Sequence, residues 1–211
     1  MTQLCPLCSN NAKLYYKDRE DIHYYECKNC HAIFEDENDR PDSDAEKSRY
    51  EIHKNDVEDK NYQKFVSPIT SSILRDFTPD AKGLDFGAGT GPVISKVLRE
   101  SGYTITEYDP YFHNFPERLQ QRYDYISSSE VIEHFYNPHK EFQLLKNLLK
   151  PEGKLYLMTD IYHESVDFAS WYYKNDPTHV FFYHEKTFEW IQKEFGFSDV
   201  AVQGRLITFS N

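Results

Sequence analysis

Four cysteines, all within the first thirty residues, are the first side chains able to do chemistry. Cys5 and Cys8 form one C-x-x-C pair, Cys27 and Cys30 a second, and eighteen residues separate the two pairs. That interval suits a four-cysteine zinc site. A tight turn at each pair aims two thiolates at one point, and two such turns complete a tetrahedron with sulfur about 2.3 Å from the metal. Between the pairs, β-prone residues 14–16 and 22–25 flank the polar turn 17–21, as in a hairpin. The expectation is a zinc ribbon over residues 1–34 holding a structural Zn2+. Disulfides or a redox pair are the alternatives, and a reducing compartment disfavours disulfides.

The second chemical signal is the run Asp85-Phe86-Gly87-Ala88-Gly89-Thr90-Gly91, which holds three of the eight glycines. Glycine lets a backbone turn sharply and approach a ligand. Alone, the run fits any nucleotide-binding α/β fold. Asp85 sharpens it, because a carboxylate there repels a pyrophosphate and attracts an amino group. Asp109 follows 24 residues later at the end of the next strand pattern, placed to hydrogen-bond ribose hydroxyls. A ligand with a nucleoside and an amino acid but no phosphate answers both acids. S-adenosylmethionine (SAM) is such a ligand. A nicotinamide dinucleotide is not, since the loop lacks the G-x-G-x-x-G spacing.

These groups need elements to hold them. Strand patterns at 83–86, 103–108, 123–128 and 154–159 alternate with helical ones at 93–100 and 139–149. A helix over 186–194 and two closing strands, 198–202 and 205–209, follow. The apolar spacing of residues 62–77 predicts one more helix, with Pro68 in its first turn. Such alternation implies an α/β fold with a mostly parallel sheet covered on both faces and an antiparallel final pair. Residues 35–60 read as a solvated acidic linker, and 61–211 as the main domain.

Composition bounds the rest. The 211 residues carry 24 Lys and Arg against 35 Asp and Glu, a net charge of −11. Residues 35–59 alone contribute eleven acids against four bases. Nucleic-acid affinity comes mostly from cations that neutralise phosphates, so an acidic chain without a basic stripe argues against that partner. No apolar run is long enough to span a membrane. The N-terminus shows no signal-peptide pattern, so the expected location is the cytoplasm.

The chain resembles the class I SAM-dependent methyltransferases, in the broad group that includes ubiquinone-biosynthesis O-methyltransferases. Leu84-Asp85-Phe86-Gly87-Ala88-Gly89-Thr90-Gly91 resembles their first motif, and Glu107-Tyr108-Asp109 their second. Tyr123-Asp124-Tyr125-Ile126 followed by Glu130-Val131-Ile132-Glu133-His134 resembles the strand-four segment. Leu148-Leu149-Lys150-Pro151-Glu152-Gly153-Lys154-Leu155 resembles a later L-K-P-G-G-x-L motif, with Glu152 replacing a glycine. Residues 176–183 resemble a signature between strands five and six. The resemblance covers 83–197 and implies a Rossmann-like class I sheet, a methyltransferase activity and SAM as cofactor. One departure stands out: only thirteen residues separate Asp109 from Tyr123. They leave little room for the family's third strand and its helix, so that strand is expected to be shortened or missing.

The site residues implied are these. Asp85, Phe86, Gly87, Ala88, Gly89 and Gly91 form the cofactor loop, and Asp109 binds the ribose. Pro110, Tyr111 and Phe112 face the adenine. Ser129 and Glu130 sit at the end of the fourth strand, Glu130 near the methionine moiety. Arg49, Tyr50 and His53 close over the cofactor, with Tyr50 in contact. His179, His134 and Glu133 are the candidate catalytic groups, because transfer to a hydroxyl or amine needs its proton removed. Glu130, Glu133 and His134 also offer a divalent-cation set. The aromatics at 171–173 and 181–183 wall an acceptor pocket. The expected acceptor is a small molecule; RNA methylation and a non-catalytic SAM-binding module are the alternatives.

Overall fold

The computed structural model describes residues 2–41, 43–52 and 55–211. Met1, Asp42, His53 and Lys54 lie outside the described residues, and with them the expectation for His53. Four short strands open the chain: β1 (Thr2–Leu4), β2 (Asn11–Lys17), β3 (His23–Glu26) and β4 (Ile33–Glu35). Helix α1 (Ser43–Ile52) lies inside the stretch expected to be an acidic linker. The helix expected over 62–77 is two, α2 (Lys60–Phe65) and α3 (Ser67–Asp76). Pro68 sits at the start of the second, where its missing N–H costs nothing and its ring blocks continuation from the first.

The main sheet then forms. Its strands are β5 (Lys82–Phe86), β6 (Thr104–Tyr108), β7 (Tyr123–Ser129) and β8 (Leu149–Met158), with helix α4 (Val93–Glu100) between the first two and α5 (Pro138–Leu148) between the last two. A two-residue strand, β9 (Phe181–Phe182), and helix α6 (Glu185–Phe195) precede the closing hairpin of β10 (Asp199–Gln203) and β11 (Leu206–Ser210). The spatial order is β10-β11-β8-β7-β5-β6. β8, β7, β5 and β6 run parallel and the hairpin antiparallel. Side chains alternate across it. Ile126, Leu155, Leu157 and Ile207 face α5 and α6, in one core with Phe142 and Phe188. Tyr125, Tyr156, Met158 and Leu206 face α3 and α4, in a second core with Ile73 and Leu98.

No third strand forms between Asp109 and Tyr123. The segment makes one isolated bridge, Asp109 with His113, and a 3₁₀ turn at Pro116–Gln120. β6 is therefore the edge of the sheet. Two of its carbonyls are taken by guanidinium groups instead of a neighbouring strand. Arg99 donates to Ile105 O at 2.7 Å, and Arg118 donates to Glu107 O. Cationic cover of this kind blunts an edge against pairing with other chains.

The N-terminal ribbon does not stand alone. Its sheet runs β1-β2-β3-β4-β9, so the last strand comes from the main domain. Ile33 pairs with Phe182 and Phe34 with Phe181. An aromatic cluster seals the joint, with Tyr24, Ile33, Phe168, Trp171, Tyr173 and Phe182 all buried. Among the described residues, no helix is long and apolar enough to cross a membrane.

Candidate active site

The two cysteine pairs fold into matching knuckles. Ser9 N donates to Cys5 O and His31 N to Cys27 O, each at 2.8 Å. Cys5 N donates to Asn10 O and Cys27 N to Ala32 O, each at 2.9 Å. The residue after each pair turns left-handed, Ser9 at φ 56° and His31 at φ 61°. The four Sγ atoms all lie within 4.8 Å of one another. Cys5 and Cys30 are 3.5 Å apart and Cys8 and Cys27 3.4 Å. A disulfide needs about 2.05 Å, whereas sulfurs about 2.3 Å from one tetrahedral centre stand about 3.8 Å apart. The cage therefore fits zinc. Thiol–thiol hydrogen bonds lower Cys27 to about 2 and Cys8 to about 6, and raise Cys5 and Cys30. A cation among the four sulfurs would favour the thiolate form of each.

The second site is a cavity of about 980 Å³ at the carboxyl ends of β5, β6 and β7, the end of an open α/β sheet where ligands bind. Its floor is Phe86, Gly87, Ala88 and Gly89 from the loop after β5. Gly87 has φ 77°, and a Cβ there would meet Val131 at 2.4 Å. Gly91 packs instead on the strap after α1, where a Cβ would lie 2.0 Å from Asn55 O. It supports the loop from outside the cavity.

Asp109 ties this loop to the end of β6. Its Oδ2 accepts from Gly89 N at 3.0 Å, and its Oδ1 accepts from Tyr111 N at 2.8 Å and Phe112 N at 3.0 Å. An ionised carboxylate offers about four lone-pair sites, so one remains for a ligand hydroxyl. Pro110, Tyr111 and Phe112 line the cavity beside it. Asp85, expected to meet an amino group, does not line the cavity. It lies beneath the loop and accepts from Ser95 at 3.1 Å and Ser127 at 3.0 Å. Burial lifts its pKa to about 6, although both hydroxyls oppose the shift.

The far wall carries the acid–base groups. His134 and His179 line the cavity with ring centres 4.8 Å apart. Nδ1 of His134 meets Thr178 O at 2.8 Å, and Nδ1 of His179 meets Tyr173 O at 2.7 Å. A carbonyl only accepts, so each Nδ1 carries a hydrogen, and in a neutral imidazole Nε2 then keeps its lone pair. Burial lowers the His179 pKa, with Glu133 opposing, which favours the neutral imidazole. Glu133 is fully buried behind the wall and does not line the cavity. It accepts from Tyr173 Oη at 2.5 Å and Thr159 Oγ1 at 3.1 Å. Glu130, at φ 54°, lines the cavity and is held by Arg205 Nη2 at 2.6 Å to both oxygens. A guanidinium on Glu130 argues against the cation set of Glu130, Glu133 and His134. Burial raises both glutamates, and Arg205 counters it directly only at Glu130.

Helix α1 closes the mouth. Arg49 pairs with Asp176 at 2.8 Å, so its charge is spent within the protein. Burial opposes ionisation of Asp176, but Arg49 and Thr178 hold it well below the usual carboxylate range. Tyr50 and Tyr111 both donate to Glu46, at 2.7 and 2.9 Å.

A methyltransferase-domain family model matches residues 59–202, more than half of the chain. The chain belongs to the methyltransferase-domain family. Among solved structures, a SAM-dependent methyltransferase from Archaeoglobus fulgidus matches at TM-score 0.54 and 17% identity, covering 71% of this chain and 94% of the other. Human N-acetylserotonin methyltransferase, solved with SAM, matches at TM-score 0.53 and 12% identity, covering 71% and 53%. An O-methyltransferase family protein from Burkholderia thailandensis matches at TM-score 0.51 and 12% identity, covering 70% and 56%. The chain thus spans about half the length of the last two. No curated protein matches it.

The methyltransferase domain brings together Phe86, Gly87, Ala88, Gly89, Asp109, Pro110, Tyr111, Ser129, Glu130, His134 and His179, and Tyr50 of α1 joins them from outside it. It leaves Asp85, Gly91 and Glu133 outside the cavity wall. Arg205, Thr159 and Glu46 take part without being expected. Arg205 comes from the β10–β11 turn and Glu46 from α1, and neither stands near a motif. Tyr173, expected only as pocket wall, holds Glu133 by its hydroxyl and His179 by its carbonyl.

Proposed function

We propose that this protein transfers the methyl group of SAM to a hydroxyl or amine of a small-molecule acceptor, with a structural zinc ion held by Cys5, Cys8, Cys27 and Cys30. The observation that carries this reading is the meeting, in one cavity, of the glycine loop, Asp109 and two histidines whose Nδ1 atoms are fixed by carbonyls. Family membership supports it. SAM supplies a methyl carbon made electrophilic by its sulfonium. The chain does the rest. The loop and Asp109 orient the nucleoside, and the lid and aromatic walls exclude water. His179 Nε2 takes the proton from the acceptor, and buried Glu133, behind the imidazole, favours the resulting charge. A small acceptor is favoured because Arg49 and Lys140 are the only Lys or Arg among the described lining residues, and Arg49 is already paired. The Glu133-His134 pair supports a place near the ubiquinone-type O-methyltransferases.

Calorimetric titration of the zinc-replete protein with SAM and S-adenosylhomocysteine tests the cofactor. One-to-one binding of both is expected, and Asp109→Ala should weaken it more than about tenfold, as loss of a hydrogen bond to a charged group does. A wild-type protein that binds neither has the fold without the cofactor, and the reading is then wrong.

A further inference from the structure

We propose that Glu141, on the first turn of α5, is the residue that reads the exocyclic amine of the cofactor's adenine, in place of the missing third-strand region. This rests on the SAM reading above. Five carboxylates line the cavity among the described residues: Glu46, Asp109, Glu130, Glu141 and Asp176. Four are already committed. Glu46 accepts two phenol hydroxyls, Asp109 three backbone N–H groups, Glu130 Arg205 Nη2 at both oxygens, and Asp176 both Arg49 and Thr178. Glu141 makes no side-chain hydrogen bond or ion pair among the described residues. It is half-buried, and burial raises its pKa, opposed only by neighbouring Lys140. A carboxylate drawn out of water without a partner is costly, and a bound donor removes the cost.

Its place fits the base. The ribose is assigned to Asp109, so the base lies beyond it, against Pro110, Tyr111 and Phe112. None of residues 113–122 lines the cavity. Asn137, Lys140 and Glu141 of the α5 start occupy that side instead. Glu141 and Asp109 both reach the Tyr108 phenol with their negative fields, and after burial they are what raises its pKa. Tyr108 is the last residue of β6. Tyr108, Asp109 and Glu141 all line the cavity, so one acid for the sugar and one for the base share its wall with an aromatic ring. Adenine presents an N6 amine donor, which is what an unpartnered carboxylate accepts.

The test compares S-adenosylhomocysteine with its 6-deamino analogue, which carries purine in place of adenine. Wild-type protein should prefer the amine-bearing ligand about tenfold or more, and Glu141→Ala should bind the two alike. Glu141→Gln, which keeps the shape and an acceptor oxygen, should retain a smaller preference and guards against a folding artefact. A full preference surviving in Glu141→Ala, or none in the wild type, overturns the assignment while leaving the cofactor reading intact. Wild-type protein that binds neither ligand overturns both.

Discussion

The ribbon and the cavity solve opposite problems. In the ribbon, four like groups converge from two neighbouring turns and need a cation to hold them. In the cavity, groups converge from α1, the β5 loop, the β6 end, the β7 end and the 172–179 segment, and they mostly neutralise one another. Arg205 answers Glu130, Arg49 answers Asp176, and backbone N–H groups answer Asp109. The difference teaches that like groups crowded together by a short chain call for an outside cation, whereas a large fold supplies distant partners of its own. The two regions still meet. Glu35 N of β4 donates to Val180 O at 2.9 Å, and Val180 N donates to Glu133 O at 2.9 Å. Val180 adjoins His179, so the ribbon is bonded to the wall that carries the candidate base.

The largest test of this pairing is zinc removal. Structural zinc contributes about 10–16 kcal/mol in small zinc-finger peptides, so chelation, or Cys27→Ser, should unfold residues 1–34. If the regions are coupled as described, it should also move the His179 imidazole resonances while the glycine loop still binds S-adenosylhomocysteine. Unmoved His179 signals would mean that the β4–β9 joint carries no ordering.

A middle-sized effect falls at the joint. Burial raises the Glu35 carboxyl to about 8, opposed by Arg40. The folded form therefore holds its proton more tightly than the unfolded chain, and its contribution is complete below about pH 4.3 and lost as pH rises toward 8. Glu35→Gln should become progressively more stable relative to wild type between pH 5 and pH 8, by at most about 1.4 kcal/mol per pH unit. Parallel stability curves for the two proteins would contradict this. The smallest effect belongs to the mouth of the cavity. Arg49→Ala should cost only about 0.2–1 kcal/mol, because the Arg49 side chain is 39% exposed and such pairs are weak. A loss of several kcal/mol in thermal unfolding would make α1 a structural strut instead of a lid.

How far the sequence could be read follows the same division. The cysteine spacing, the glycine loop and the shortness of residues 110–122 are local signals, and each corresponds to what the fold builds. Helix α1 was not legible, because residues 43–52 have no strong apolar stripe and are held by Arg49 and Glu46 reaching across the cavity. Nor was β9, whose two residues are strand only because β4 is there to pair with them. Asp85 directly precedes the loop, but strand alternation turns it away from Phe86, toward Ser95 on α4.

The pairing of Phe34 with Phe181 also has a consequence for how the protein is made. The two residues are 147 positions apart, and chains emerge from the ribosome at about 5–20 residues per second. The ribbon is synthesised first, yet its fourth strand waits many seconds for a neighbour. During that interval Ile33 and Phe34 form an open, apolar edge on the nascent chain, the kind that recruits other strands. Early metal capture would fix the knuckles but leave that edge bare. The acidic run that follows immediately, from Glu35 onward, then acts as a charged gatekeeper until the rest of the domain arrives.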